Sequence, residues 1–396
     1  MSSIKKIGNI KVNYETIVEI FLFLYLVFTI SRLEQAVFFE IILYGVLSLY
    51  WLTKRKKTTY FSLWIFILVI ISAITILWSA NPNQSIIETR ILFQWMILST
   101  LLIAYLDSEK KIINLYKYIV IGGIALVIRL ITVFPLTTWV SGRLGSTELN
   151  LNSNVIGLYL TIASLMAFYL ARYCYERKYY IPYIMFSVTV FFTGSRKALL
   201  LLLLGFGGIL FLSETGITKK VKNGILIAIT TLVLYLLIIE IPLLYGIIGY
   251  RIENIMNNIL GFGVGDGSIN ERQNMIQIGL ELFRQKAWFG HSLGSYAIKS
   301  GFFTYSHNNF IEILVGLGLT GFTIYYSMYV KIIVSFLSFK RTHIFVPIMT
   351  TIILLPIMEY GLVSYNDSFY QFIITVSFVG ILMIRGRENE KNIKRD

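Results

Sequence analysis

Long apolar stretches constrain the fold of this chain more than any other feature of its sequence. Hydrophobic residues make up 56% of its 396 residues, and charged residues only 14%. A helix needs about 20 consecutive apolar residues to cross the roughly 30 Å hydrocarbon layer of a bilayer. Twelve stretches come near that length, at about 15–31, 36–53, 60–79, 87–106, 112–133, 153–172, 179–194, 197–213, 223–241, 308–337, 344–363 and 367–385. The sequence therefore predicts an all-α integral membrane protein, with about twelve transmembrane helices in one polytopic domain over residues 1–396.

Basic residues are distributed unevenly between the two sides of these stretches. With the N-terminus in the cytoplasm, 24 of the 35 lysines and arginines fall in cytoplasmic segments. Cytoplasmic loops of membrane proteins carry an excess of Lys and Arg, so both termini are predicted to be cytoplasmic. The net charge of +14 is then a topology signal. Because these residues are spread over many short segments, we expect no nucleic-acid partner.

The longest predicted outer segment is the loop at 242–306, between the ninth and tenth stretches. Within it, Asn270–Phe283 has the periodicity of an amphipathic helix, and aromatic residues are frequent further on. A disordered linker would be poor in such residues. We expect a partly helical extracytoplasmic loop that lies on the outer membrane surface, covers a cavity and carries part of an active site.

His307 indicates chemistry more directly than any other residue. It is one of 3 histidines, and it lies where the outer loop leads into the tenth stretch, followed by Asn308 and, one helical turn later, Glu312. Ionisable groups at such membrane positions are usually functional, and histidine titrates near neutral pH. The other histidines are interpreted differently: His291 as a surface residue of the loop, and His343 as a cytoplasmic residue without an assigned role.

Several arginines are predicted on the outer side, which opposes the topology rule. They are Arg129, Arg143, Arg196, Arg251 and Arg272. Each of them by itself is compatible with a structural role, as a headgroup anchor, a solvated charge or one half of a surface ion pair. Together they predict an outward cationic cluster beside His307. Such a cluster suits a diphosphate, because arginine binds phosphate bidentately.

The sequence indicates neither a metal site nor a cofactor site. Cys174 is the only cysteine, and the chain contains no His-x-x-x-His or Asp-x-Asp pair. Clusters of such ligands are what zinc and calcium sites require. We therefore expect a reaction without a metal ion or another cofactor.

Three stretches of the later half resemble motifs of the O-antigen ligase and polysaccharide repeat-unit polymerase family, the Wzy/WaaL-like membrane glycosyltransferases. They are the Ser-Arg turn in Gly194–Leu200, the loop helix and following glycine in Arg272–Gly290, and the His307-Asn308 start of a span with Glu312, Gly316 and Gly321. The resemblance covers about residues 140–335, and elsewhere only the topology is similar. Trp288 and His291 stand where the family often has proline and a small residue.

The resemblance implies a metal-independent, inverting glycosyltransferase whose donor is a glycan on undecaprenyl diphosphate. It acts at the outer face of the bacterial cytoplasmic membrane. By this resemblance Arg196 and Arg272 bind the diphosphate, and His307 is the general base. Further candidates for substrate binding are Asn308, Arg143, Glu312 and Arg251. The implied partners are the lipid-linked oligosaccharide, membrane lipids, a chain-length regulator and a flippase.

Several functions stay open at this stage. A polymerase of lipid-linked repeat units, for capsule, exopolysaccharide or O-antigen, is favoured because the composition fits a Gram-positive host. A ligase would instead move a finished glycan to lipid or protein. A lipid-linked oligosaccharide transporter is less favoured, since the two halves do not repeat and ionisable residues are scarce in the span centres. A non-catalytic scaffold would leave the outward histidine and arginines unexplained.

Overall fold

The computed structural model describes residues 6–7, 10–11, 13–54, 58–141, 144–145, 152–259, 267–338 and 343–393. The strands β1 (Lys6–Ile7) and β2 (Ile10–Lys11) pair antiparallel. The α-helices are α1 (Tyr14–Ile30), α2 (Ala36–Lys54), α3 (Tyr60–Thr75), α4 (Pro82–Tyr105), α5 (Glu109–Val133), α6 (Leu136–Ser141), α7 (Ser153–Tyr173), α8 (Tyr180–Phe192), α9 (Arg196–Ser213), α10 (Ile217–Glu240), α11 (Pro242–Leu244), α12 (Tyr250–Ile259), α13 (Gly267–Gln285), α14 (Tyr296–Lys299), α15 (Asn309–Ser338), α16 (Val346–Glu359) and α17 (Ser368–Ile393). Short 3-10 helices lie at Ile76–Trp78, Arg177–Tyr179 and His343–Phe345, and a π-helix at Tyr245–Gly249.

Each of the twelve apolar stretches coincides with a helix. In the part of the chain that is described, nine helices are long and apolar enough to cross a membrane, and they begin at Ala36, Tyr60, Pro82, Glu109, Ser153, Arg196, Ile217, Asn309 and Ser368. The other three are shorter: α1 has 17 residues, α8 has 13 and α16 has 14. The helical, multi-pass character of the chain is thus confirmed, whereas the number twelve stays a prediction.

Helix α7 lies at the centre of the bundle. Nearly all of its residues are buried, and it packs against α5, α8 and α9. Small side chains allow the close approach: a Cβ on Gly157 would lie 2.6 Å from the Cβ of Ala198. At the end of this contact the Ser195 hydroxyl donates to the Asn154 carbonyl oxygen at 2.9 Å. This bond fixes the turn from which Arg196 and Lys197 extend.

The predicted amphipathic segment of the outer loop falls within α13, which packs against the first turns of α15. Met275 and Leu282 on its apolar side are buried together with Tyr296, Ile311 and Val315. Gly279 permits this contact, because a Cβ there would lie 2.3 Å from the Ile311 side chain. The packing holds the N-terminal half of α13, which carries Arg272, near the start of α15.

Helix α15 is interrupted at Gly318, where φ is +64°. The loop pairs with the main chain on both sides of the break: the amide of His291 donates to the Val315 carbonyl at 2.7 Å, and that of Leu319 donates to the Ala287 carbonyl at 2.7 Å. Main-chain groups freed from a helix at membrane depth need such partners. The glycines of this span therefore allow a close contact with the loop, since a Cβ on Gly316 would lie 2.8 Å from the Leu293 side chain.

We expect Gly318→Ala to destabilise the protein by about 1–3 kcal/mol, because a Cβ would be forced into a left-handed conformation. The new atom would also lie 2.4 Å from the Trp288 carbonyl carbon. The matched control is Gly45→Ala in α2, where a Cβ meets nothing within 4 Å. The measurement is the midpoint of thermal unfolding in detergent for both variants. An unchanged midpoint for Gly318→Ala would contradict this account of the helix break.

Candidate active site

A cavity of about 1470 Å³ opens where helix ends and connecting loops meet. With the N-terminus in the cytoplasm, the segments predicted on the outer side are 31–35, 79–89, 135–152, 193–196, 242–306 and 364–368. All of them except the turn at 193–196 contribute residues to the walls of the cavity. Small-molecule sites usually measure about 300–1,000 Å³, so this cavity has room for more than a single sugar. Segments that are far apart in the sequence therefore form one site.

Four of the residues predicted from the sequence line this cavity: Arg129, Arg272, His307 and Glu312. Arg272 lies in the second turn of α13 and is half-buried. His307 directly precedes α15 and is also half-buried, whereas Glu312 in the first turn of that helix is 4% exposed. The packing of α13 on α15 is what brings the arginine and the histidine to the same cavity.

The backbone around His307 is held in an unusual conformation. His307 has a φ of +55°, which a residue with a side chain rarely adopts. The Glu312 carboxylate accepts the amide of Ser306 at 2.6 Å, and the Tyr305 ring lies with its centroid 4.2 Å from that of the imidazole. These contacts fix the direction of the imidazole. Strain of this kind is often found at functional positions.

Charge and burial act together on His307. Burial, followed by the positive charges of Arg272 and Lys197, lowers the pKa of His307 to about 4. Both causes disfavour the imidazolium: burial removes its hydration, and a nearby cation repels it. The imidazole is therefore neutral at neutral pH and has a lone pair that can accept a proton.

We expect the low pKa of His307 to appear in its reaction with diethylpyrocarbonate, which modifies only the neutral imidazole. The ligand-free protein should react at His307 between pH 5 and 6, where a histidine-containing reference peptide is largely protonated. Peptide mass spectrometry of the labelled protein gives the rate at His307 as a function of pH. A midpoint near the ordinary value of about 6.5 would contradict this electrostatic account.

The lowered pKa of His307 also makes the stability of the protein depend on pH. The folded-state pKa of His307 lies below that of the unfolded chain, so the unfolded state binds more protons between about pH 6.5 and the folded value. The neutral His307 side chain therefore makes its full contribution to the free energy of unfolding above about pH 6.5. That contribution is lost as the pH falls towards about 4.

Lys197 is a member of the cationic cluster that the sequence interpretation missed. It lies in the first turn of α9, half-buried, and its charge acts on His307. Its ammonium lies against Gly361, at 1.0 Å from the place that a Cβ on this glycine would occupy. The sequence could have indicated this role, because Lys197 adjoins Arg196 in the Ser-Arg motif. Like that arginine, it is a basic residue on the predicted outer side, which the topology rule disfavours.

Arg196 and Arg251 bind the main chain beside the cavity. The Arg196 guanidinium donates to the Arg251 carbonyl at 3.0 Å, and the Arg251 guanidinium donates to the Gly194 carbonyl at 3.2 Å. The two side chains thus connect the Ser195 turn to α12, and neither lines the cavity. Arg143 lies outside the described residues.

Asn308 and Asn309 organise the start of α15. Asn308 is 4% exposed, and its side-chain Oδ1 accepts the main-chain amides of Phe310 at 2.9 Å and Ile311 at 3.2 Å, as an N-cap residue does. Asn309 is fully buried, and its side-chain Oδ1 accepts the main-chain amides of Ser364 and Tyr365. These bonds join the segment that carries His307 to the loop before α17.

The opposite wall of the cavity contains acids and amides that the sequence did not single out. Arg32 and Asp367 form an ion pair at 3.5 Å, and the Tyr159 hydroxyl donates to the same carboxylate. Glu88 accepts bonds from the amides of Gln84 at 2.8 Å and Asn366 at 3.0 Å. Carboxylates and amides of this kind can hydrogen-bond to sugar hydroxyls. Their sequence signal was weak, because Arg32 and Asp367 come from short turns between spans, and Gln84 and Glu88 lie at the start of α4.

His291 is not the surface residue that the sequence predicted. It is 2% exposed, and one ring nitrogen lies 2.9 Å from the Leu282 carbonyl oxygen. Burial lowers the pKa of His291, so it is buried as a neutral ring between the loop helix and α15. The reason for its burial is the main-chain pairing of this segment with the interrupted helix, which its position in the loop did not reveal.

The described residues contain no group of three or more His, Cys, Asp or Glu side chains placed to hold a metal ion.

In a comparison with known proteins, no curated protein matches the chain. Residues 181–326 match the family model described as O-antigen ligase. The matched segment includes Lys197, Arg272, His307 and Glu312. The resemblance inferred from the motifs is thus confirmed for residues 181–326, the segment that is similar to the O-antigen ligase family model.

Proposed function

We propose that this protein polymerises lipid-linked oligosaccharide repeat units of a bacterial capsule, exopolysaccharide or O-antigen. It transfers a glycan from undecaprenyl diphosphate to a sugar hydroxyl of the acceptor, at the outer face of the cytoplasmic membrane. One observation carries the proposal: a neutral histidine lies on the wall of a large cavity beside cations that have no acidic partner among the described residues.

That observation concerns Arg272 and Lys197. Within the described residues, no carboxylate lies within ion-pairing distance of either side chain. A half-buried cation without a counter-ion is costly, which favours an anionic ligand at this position. The diphosphate of a polyprenyl-linked donor supplies such a charge, and the remainder of the cavity can hold its sugars and the acceptor.

In the proposed reaction, a ring nitrogen of His307 takes the proton of the acceptor hydroxyl. The hydroxyl oxygen forms a bond to the anomeric carbon, and the bond from that carbon to the diphosphate oxygen breaks. The leaving diphosphate keeps the electron pair, and Arg272 stabilises the charge that develops on it. Attack opposite the leaving group inverts the anomeric centre. The energy comes from the phosphoglycosyl bond, and no metal ion or nucleotide sugar takes part.

The low pKa of His307 fits this cycle. An imidazole with a pKa of about 4 is a weak base in the empty site. A bound diphosphate would offset the positive charges of Arg272 and Lys197 and so raise the pKa of His307 towards its ordinary value. The donor would in this way activate the base when it binds.

The other predicted ligands have secondary tasks: Arg196 and Arg251 hold the turn beside the site, Asn308 caps α15, Glu312 fixes the turn that carries His307, and Arg143 is a further candidate.

The bias of basic residues supports an outward cavity with both termini in the cytoplasm.

The direct test of the proposed function is incubation of the purified protein in nanodiscs with one lipid-diphosphate-linked repeat unit, with the products separated by electrophoresis. A ladder of lengths is expected. A single product with a lipid or protein acceptor would identify a ligase, and movement of the unchanged donor across a vesicle membrane would identify a transporter. A flippase and a chain-length regulator are the proposed partners before and during polymerisation.

A further inference from the structure

Two cations approach the site from different directions. Arg272 comes from α13, the helix of the outer loop, and Lys197 comes from the first turn of the membrane helix α9. Their charges act on each other and on His307. The two positive charges are therefore close in space although they come from different layers of the molecule.

The position of Lys197 is defined by its contact with Gly361. Its ammonium nitrogen occupies the space where a Cβ on Gly361 would lie, at 1.0 Å. The next two residues, Leu362 and Val363, line the cavity. Glycine at this position thus leaves room for the ammonium directly beside the cavity wall, at the level where the membrane helices end.

A polyprenyl diphosphate has a fixed orientation at this boundary. Its hydrocarbon chain lies in the membrane, so the phosphate attached to the polyprenol lies closest to the helix ends, and the sugar-linked phosphate lies further out. A lysine is a compact point charge, and an arginine fork binds phosphate oxygens bidentately. Two separate cations at two levels match two phosphates.

We infer that Lys197 binds the polyprenol-linked phosphate of the donor while Arg272 binds the sugar-linked phosphate, so that the two cations together make the site selective for diphosphate over monophosphate carriers. This assignment rests on the proposed function. It gives Lys197 a role separate from that of Arg196, whose guanidinium donates to the Arg251 carbonyl. It also explains why Gly361 carries no side chain.

The test measures binding of farnesyl diphosphate and farnesyl monophosphate to the full-length protein in nanodiscs by calorimetry. In Arg272→Ala the dissociation constant for the diphosphate should rise about tenfold or more, the effect of losing one charged hydrogen bond, whereas that for the monophosphate should change less than about twofold. In Lys197→Gln both constants should rise about tenfold or more, because the single phosphate of the monophosphate is also attached to the prenol. Gly361→Ala keeps the charge but displaces the ammonium, so it should show the same loss in a smaller amount. Lys299→Gln, an exposed lysine of α14, is the matched control.

Each result decides between named alternatives. The inference is supported if Lys299→Gln is unchanged, Arg272→Ala weakens binding of the diphosphate alone, and Lys197→Gln and Gly361→Ala weaken binding of both ligands. Unchanged diphosphate affinity in these two variants would overturn it and would leave the proposed function standing. If the wild-type protein bound neither farnesyl phosphate, the inference and the proposed donor class would both be wrong.

Discussion

His307→Gln is expected to lower kcat about 10²–10⁴-fold, the usual contribution of a general base, while the KM for the donor changes little. Glutamine retains a polar side chain of similar size but cannot take a proton from the acceptor hydroxyl. The loss should therefore concern the chemical step. The measurement is the initial rate of chain extension, with donor and acceptor varied separately.

The chain offers an internal control for this variant. His343 is exposed and lies in the short helix before α16, and His343→Gln should retain wild-type rates. Added imidazole should restore part of the activity of the smaller variant His307→Ala, because it can supply the missing base. Full turnover by His307→Gln would be incompatible with the proposed mechanism.

Arg272→Ala is expected to lower kcat/KM about 10²–10³-fold, because the charge on the leaving diphosphate loses its principal counter-charge. Removal of this charge should also raise the pKa of His307, since Arg272 is the largest cause of the depression after burial. The two effects differ in readout. The first is measured as the rate of chain extension, and the second as the pH dependence of His307 labelling in the ligand-free protein.

Two further variants of α13 make the result specific. Arg284→Ala removes an exposed arginine from the last turn of the same helix, and it should leave both the rate and the labelling profile unchanged. Arg272→Lys keeps the charge but loses the bidentate geometry, so it should leave the labelling profile near wild type and lower the rate. An Arg272→Ala variant with normal rates would remove Arg272 from the mechanism.

Much of the fold follows from the sequence, because a membrane helix is a local property. Stretches of about 20 apolar residues satisfy their own main-chain hydrogen bonds and need no distant partner to be recognised. The helix around Asn270–Phe283 was predictable for the same reason, from its periodicity. The shorter helices α8 and α16 are where the count of membrane crossings is least determined.

The sequence by itself determined that the chain is helical and multi-pass, and it made His307, Arg272 and Arg196 the main candidates for chemistry. Only the tertiary structure decided which charges act together. Lys197 reaches the site because α7 and α9 pack closely at Gly157, and His291 is buried because the loop pairs with α15 around Gly318. Arg196 turns to the main chain of α12. The physical reason is that the apolar pattern of a helix depends only on residues that are close in the sequence. The surroundings of a charge depend on residues that are distant in the sequence and become neighbours only when the helices pack.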